Sequence, residues 1–417
     1  MSLLPLEGIR VIDLTRYWAG PFGTQFLAFM GAEVIRVESA LYIDAVRYMI
    51  PPAGEPGERP YNQGSYFHMA NRNKYSISLD LQQPEGKELF LKLVSVGDVV
   101  MENFSARVMG NLGLEYETLR GVRPDVIVVS MPSFGGTGPY RDYVCFGEAL
   151  EGMTGLTHLT GYADGPPMRS SGAFTDPVAG LQADYAVLAA LQHRNRMGQG
   201  CYLDLSHQEG YVTLLGDSIM DYSMNGRVRT RIGNRHPFRA PQGVYPCRGE
   251  DRWIAISVAS DEEWQGLCRA MGRPELASDP RFGDVLSRSS NHQELDTIIS
   301  DWTRRHDHYE VMGRLQEEGV AGGVVLAADE LFEDPHFKDR GFWEELDYPD
   351  AGRFPHFGIP IKFSRTPGGS RTPAPLFAQH NRYVFEEVLG LSGSRVDELL
   401  KSKVVADRPV QELETLL

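Results

Sequence analysis

Three observations predict an α/β protein with a large Rossmann-like parallel-sheet domain and a smaller α+β domain. Short branched apolar runs alternate with helical segments as far as residue 131. The first unit, GIRVIDL, PFGTQFLAFM and AEVIRVE, is a β-α-β of about 30 residues, the size a parallel crossover needs. After about residue 225 the alternation gives way to a hairpin and consecutive helices.

In chain order, 8–14 reads as a buried strand, and 21–30 as a helix opened by Pro21 and stopped by Gly31. Strands follow at 32–38 and 74–81, then a helix over 84–96 between Pro84 and Gly97. Strands at 98–103 and 125–131 bracket a short helix near 116–120. Asp176 and Pro177 predict a helix start, with Asp176 capping a backbone N–H and Pro177 at the first helical position. Val178, Leu181, Tyr185, Leu188 and Gln192 recur at 3-4 spacing along it, an expected core stripe. A strand over 201–206 follows. Residues 245–258 form a hairpin turning at Arg248–Asp251, with helices at 261–271, 292–304 and 309–318 and strand-like residues at 321–328. A last helix near 381–390 leads into a polar tail. The expected domains are 1–225, a small domain at 226–335, and a return to the large domain at 336–417.

The 417 residues are 42% hydrophobic and 23% charged, with a formal charge of −15. So acidic a surface argues against nucleic acid and anionic membranes, and any anionic ligand needs a local basic patch. Four scattered cysteines without C-x-x-C spacing fit a reducing compartment. The first 15 residues lack a signal-peptide pattern and no run is long enough to span a membrane, so the cytoplasm is expected.

The first strand is followed by TRYWAGPFG rather than G-x-G-x-x-G, although Glu38 ends the second strand as a ribose-binding acid would. P-loop and G-x-S-x-G motifs are absent, which disfavours nucleotide hydrolysis and serine hydrolysis. The eleven histidines form no metal-ligand pattern, so no metal and no permanently bound cofactor are expected. Three features remain. Asp176 stands alone in GAFTDPVAG, as a helix cap or as a nucleophilic carboxylate at a helix start. Between Asp221 and Glu250 no acid interrupts Arg227, Arg229, Arg231, Arg235, Arg239 and Arg248, which form either a solvated surface or a carboxylate-receiving loop. NRNK (71–74) reads as a plain turn or a cationic strand-end pocket for a nucleotide.

LEGIRVIDLTRYWAGPFGTQFLAFMGAEVIRVES resembles the N-terminus of class III CoA-transferases, the CaiB/BaiF type. The similarity continues through NRNKYSISLDL, PEGKELFLKLVSVGDVVMENF, RPDVIVVSMPSFGGTGPY, GAFTDPVAGLQADYAVLAAL and IPIKFSRTPGGSRTPAPL, spanning nearly the whole chain in order. The resemblance implies that Asp176 is the nucleophile. It attacks an acyl-CoA thioester to form an aspartyl-acyl anhydride, passes through an aspartyl-CoA thioester, and delivers CoA to an acceptor acid. It implies CoA contacts at Trp18, Ala19, Asn71, Arg72, Asn73, Asn103 and Phe104. Ser39 stands where many members have a basic residue, which leaves Arg47, Arg72 or Arg107 for the CoA phosphates. Gly233, Asn234, Arg235 and His236 fall at a mobile substrate loop of the family. The expected partners are an acyl-CoA, with succinyl-CoA as donor, a small carboxylic acid, and a second chain in an interlocked homodimer or a heteromer. The nearest rival is α-methylacyl-CoA racemase, which shares the fold but needs a histidine where this chain has Phe146. A partner subunit without catalysis is disfavoured by the presence of Asp176, and a Rossmann oxidoreductase by the missing glycine fingerprint.

Overall fold

A computed structural model describes residues 4–55, 57–170 and 172–410, which fall into two compact units. The first takes in the described residues of Met1–Leu156, Arg169–Arg227 and Gly341–Leu417. Its sheet comprises β1 (Arg10–Asp13), β2 (Glu33–Glu38), β3 (Tyr75–Ser78), β4 (Val99–Glu102), β5 (Ile127–Ser130) and β6 (Cys201–Asp204). All six are parallel, in the order β3-β2-β1-β4-β5-β6. Val11 lies opposite both Val34 and Val99. Val11, Val34, Val99 and Ile127 enter one core, while Ile12, Ile35, Val100 and Val128 enter another. Burial on both faces explains why these strands read as unbroken apolar runs.

The helix Ala19–Phe29 begins two residues before Pro21, and Gly31 follows it at φ 104°. It crosses the helix Thr175–Met197 at very short range: a Cβ on Gly180 would meet the Ala19 carbonyl at 2.4 Å, and one on Gly23 the Gly180 carbonyl at 2.7 Å. This contact corrects the expected core stripe. The small residues Ala179, Gly180 and Ala183, with Val187 and Ala190, form the buried face. Leu181, Tyr185 and Leu188 point outward, 48%, 76% and 39% exposed. Close approach of two helices requires the small face, so the larger residues are turned away.

The hairpin β10 (Trp343–Tyr348) and β11 (Gly352–Phe357) also belongs to this unit. The expected polar tail instead contains the helix Gly393–Lys401, whose Val396 and Leu399 are buried in the sheet core. In LFAQHN, Ala378 adopts φ 58°, a conformation that favours glycine, and its N–H donates to Ser76 Oγ at 3.0 Å.

The second unit is Thr157–Met168 with Val228–Arg340. Its antiparallel sheet is β7 (Gln242–Pro246), β8 (Trp253–Ser257) and β9 (Ala321–Val325), in that order. Trp264, Leu267, Ile299, Val311 and Leu315 build its core. The Gly233 N–H donates to the Gly161 carbonyl at 2.9 Å, tying the 157–168 segment to this unit. Among the described residues, no helix is long and apolar enough to cross a membrane.

Candidate active site

The strand order reverses between β1 and β4, where a doubly wound sheet opens a crevice beyond its carboxyl ends. The chain fixes this point with buried charge. Asp13 accepts from the Thr15 N–H at 2.9 Å and from Lys74 Nζ at 3.1 Å. Arg36 donates to the Thr15 carbonyl at 2.8 Å and to Asp44 at 2.6 Å. Asn103, just past β4, accepts from the Arg16 N–H at 2.7 Å and donates to the Arg16 carbonyl at 2.9 Å. Tyr17 is thereby held at φ 61°, a strained value for a non-glycine residue, with its ring edge-on to Phe146 at 5.2 Å.

A cleft of about 210 Å³ opens here, lined by Arg16, Ala19, Asn103, Phe104, Cys145, Asp176 and His207 among others. Asp176 occupies the second position of its helix, which begins at Thr175. Phe174 already has helical angles (φ −62°, ψ −17°) and no side chain caps this end, so the expected Asp176 cap does not form. The carboxylate is left for the cleft. Thr175 Oγ1 anchors the turn on the Gly147 carbonyl at 3.1 Å. Gly147 also presses on Asp176: a Cβ there would lie 2.6 Å from Oδ1. Burial, and then the Glu148 charge, raise the Asp176 carboxyl to about 7 against the opposing Thr175 hydrogen bond. Glu148 is thus a second acid near Asp176, missed in the sequence because 28 residues separate them in the chain. It is exposed and pairs with Arg169 at 3.1 Å. Tyr66 was missed for the same reason; its hydroxyl is pushed up to about 12 by burial, Asp176 and Glu148.

His207 is buried and neutral, held at about 4 by burial despite a hydrogen bond to the Met131 backbone. Its Nε2 has no hydrogen-bond partner among the described residues.

A second cleft, of about 290 Å³, lies beyond β1, β2 and β3 and is lined by Leu14, Val37, Ser39, Leu79, Leu81 and Val108 among others. Arg16 and Phe104 line both clefts.

Of the expected CoA contacts, Ala19, Asn103 and Phe104 line the Asp176 cleft. Trp18 packs edge-on to Tyr66 at 5.7 Å, and its buried indole N–H has no partner among the described residues. The 71–73 triplet faces inward in this chain. Asn71 is fully buried and donates to the Phe67 carbonyl at 3.0 Å. Asn73, at φ 61°, accepts from the Arg371 and Thr372 N–H groups. Arg72 is fully buried against His356, the Phe357 carbonyl and Ser370, and burial lowers it to about 10. Arg47 is also fully buried and grips both Glu38 oxygens at 2.8 and 2.7 Å. Burial pushes Glu38 up, but Arg47 and Arg36 outweigh it and hold the acid at about 2. Glu38 is therefore occupied by arginines rather than open to a ribose. Arg107 is exposed.

The substrate-loop residues lie in the second unit. There Gly233 and Asn234 line an open cavity, Arg235 pairs with Asp296 and His292, and His236 Nδ1 accepts from the Phe238 N–H. The acid-free run is largely paired: Arg227 bridges to Asp221 at 2.7 Å, and Arg231 donates to the Gly165 and His158 carbonyls. Among the described residues, no group of three His, Cys, Asp or Glu side chains is arranged to hold a metal ion.

Residues 6–381 match the sequence model of CoA-transferase family III. The chain is 36% identical to the succinyl-CoA–D-citramalate CoA-transferase of Chloroflexus aurantiacus, covering 96% of this chain and 98% of that one. It is 35% identical to the succinate–glutarate CoA-transferase of Agrobacterium fabrum, over 92% and 96%. The crystal structure of a CaiB/BaiF family protein from Brucella suis superposes with a TM-score of 0.84 at 31% identity, over 93% of this chain and all of the other. The chain belongs to CoA-transferase family III and is a CoA-transferase.

Proposed function

We propose that the protein moves CoA from succinyl-CoA to a small carboxylic acid, with Asp176 as the nucleophile. The observation that carries this reading is the setting of Asp176: one acid at the start of a long helix, lining a cleft at the switch point, its carboxyl raised to about 7. The carboxylate attacks the thioester carbonyl and expels CoA thiolate, leaving an aspartyl-succinyl anhydride. Thiolate attack on the aspartyl carbonyl then releases succinate and forms aspartyl-CoA thioester. The acceptor acid repeats the sequence in reverse. Each leaving group is the next nucleophile, so neither ATP nor a general base is required. The names of the relatives, one with succinyl-CoA and one with succinate, support succinyl-CoA as donor.

The cleft beyond β2 and β3 suits the nucleotide end of CoA, because Arg16 and Phe104 line both it and the Asp176 cleft. Arg16 and exposed Arg107 then meet the phosphates, in place of buried Arg47 and Arg72. Asn103 positions Arg16. Asn71, Arg72 and Asn73 serve this site through the folding of the strand end, and the loop Gly233–His236 serves the acceptor. The outward Leu181, Tyr185 and Leu188 support an interlocked dimer. Four unpaired cysteines fit the cytoplasm.

Incubation with succinyl-CoA, trapping with hydroxylamine or borohydride, and peptide mapping test the reading. Modification at Asp176 is expected. A second reading has one observation in its favour: His207, neutral with an unpartnered Nε2, lines the same cleft and, with Asp176, offers the acid-base pair a racemase needs. Deuterium entering the acyl α-carbon in D₂O, with Asp176 unmodified, would establish that reading instead.

A further inference from the structure

Among the described residues, Asp176 is the one acid lining its cleft, and Arg16 and Arg141 are the two arginines. The arginines are not equivalent. Arg16 sits where the two clefts meet, with its backbone clamped by Asn103 and its Nη2 donating to the Ile43 carbonyl at 2.6 Å. Arg141 stands on the loop between β5 and Gly147. Among the described residues its guanidinium has no closer acid than its chain neighbour Asp142, at 3.9 Å with both side chains about half exposed. An ion pair of that kind contributes little and yields readily to a better anion.

The loop carrying Arg141 is braced. The Tyr140 and Tyr143 rings stack at 4.9 Å, and both meet Phe134 edge-on, at 5.9 and 6.2 Å. The Tyr143 N–H donates to the Tyr140 carbonyl at 2.9 Å. Val144, Cys145 and Phe146 continue the wall without charge, and His207 is neutral. An arginine fork on such a braced loop matches a carboxylate in shape and charge.

We propose that Arg141 binds the distal carboxylate of a dicarboxylic half-thioester while the thioester carbonyl faces Asp176, so that Arg141 selects dicarboxylic over monocarboxylic acyl groups. The inference rests on transfer at Asp176.

The test compares succinyl-CoA with butyryl-CoA, which has the same chain length without the distal carboxylate. Both are donors to a fixed acceptor, glutarate, with the full-length protein. Any effect on glutarate binding is common to both donors and leaves the ratio of their kcat/KM values untouched. In R141A that ratio falls by about 10-fold or more, the scale for losing a hydrogen bond to a charged group. R141K lies between R141A and the native enzyme, and added guanidinium raises the succinyl-CoA rate of R141A. A purely structural role would lower both donors together and would not respond to guanidinium. A ratio in R141A and R141K within threefold of the native value overturns the proposal. If native protein transfers to glutarate from neither thioester, the ratio is read instead from the rates at which the two donors label Asp176 in the trapping experiment, and no labelling by either would overturn the Asp176 reading and this inference with it.

Discussion

The contact between Gly147 and Asp176 supports a prediction that separates the position of the nucleophile from its mere presence. In Gly147→Ala, the new Cβ starts 2.6 Å from Asp176 Oδ1 and 2.7 Å from the Ala173 Cβ. Ordinary heavy-atom contacts lie at roughly 3.5 Å, so relief requires a displacement of about 1 Å. The Ala173 side is less able to give, because the Ala173 carbonyl accepts from the Asp176 N–H at 2.9 Å and fixes the helix start. The carboxylate is therefore the group that moves. Misplacing a reacting atom by about 1 Å costs on the order of 100-fold in rate. Overpacking costs about 1–3 kcal/mol of stability, which a chain of this size tolerates. The assay is kcat for succinyl-CoA-dependent transfer, with a thermal melt beside it. A G147A protein that melts cooperatively but turns over about 100-fold more slowly is expected. If G147A keeps kcat within threefold of the native enzyme, the packing of Gly147 against the carboxylate has no part in positioning it.

Three further outcomes are expected. Asp176→Asn abolishes transfer and also changes the pH dependence of stability. A carboxyl near 7 in the folded chain and 3.8 when unfolded makes native stability fall as pH rises from about 4 to about 7. Urea unfolding at pH 5 and pH 8 should show D176N without that decline, and native kcat/KM should rise up to about pH 7 and then level off. Arg47→Ala leaves Glu38 buried without its main partner and destabilises the protein by about 3–5 kcal/mol in urea unfolding, whereas a phosphate-binding role would raise KM for CoA thioesters without lowering stability. Tyr185→Glu puts a charge in the exposed apolar stripe, and if that face carries the proposed dimer, sedimentation velocity should show a smaller species than native protein gives; an unchanged species would remove that face from the proposal.

The sheet was legible because its strands are buried on both faces, and Val11–Ile12 or Val34–Ile35 then has no polar side to show. The helix from Thr175 was legible in its existence but not in its orientation. Leu181, Tyr185 and Leu188 repeat as regularly as Ala179, Ala183 and Val187, and only the Gly23–Gly180 crossing decides which face goes inward. The setting of Asp176 left a cap and a nucleophile both open, and the family resemblance singled it out, whereas Glu148 and Tyr66 come near it only through the fold. Arg16 carried a signal that was passed over. It lies three residues past the end of β1, and residues after the strands flanking a switch point face the crevice. Sequence could not choose between the turn and the cationic pocket at NRNK, because what decides is long-range: buried Lys74 neutralises Asp13, so its charge is already matched inside the chain.

A carboxyl raised to about 7 looks at first like a handicap for a nucleophile, since half of it is protonated at neutral pH. For the proposed anhydride chemistry it acts the other way. The Asp176 carboxylate and the CoA thiolate displace one another from the same acyl group, and the weaker base is the better leaving group. An alkyl thiol titrates near about 8.5. Against an ordinary aspartate at 3.8 the gap is nearly five pKa units, and the anhydride would collapse back to thioester almost as soon as it formed. Against Asp176 at about 7 the gap is between one and two, which brings the anhydride closer in energy to the thioester. The more basic carboxylate is also the stronger nucleophile, which offsets its smaller ionised fraction. Burial beside Gly147 and the Glu148 charge produce this match together. It follows that removing the charge in E148Q should lower the Asp176 carboxyl, move the rising limb of the kcat/KM profile to lower pH, and slow the plateau rate. A profile that does not move would mean that burial alone sets the acidity of Asp176.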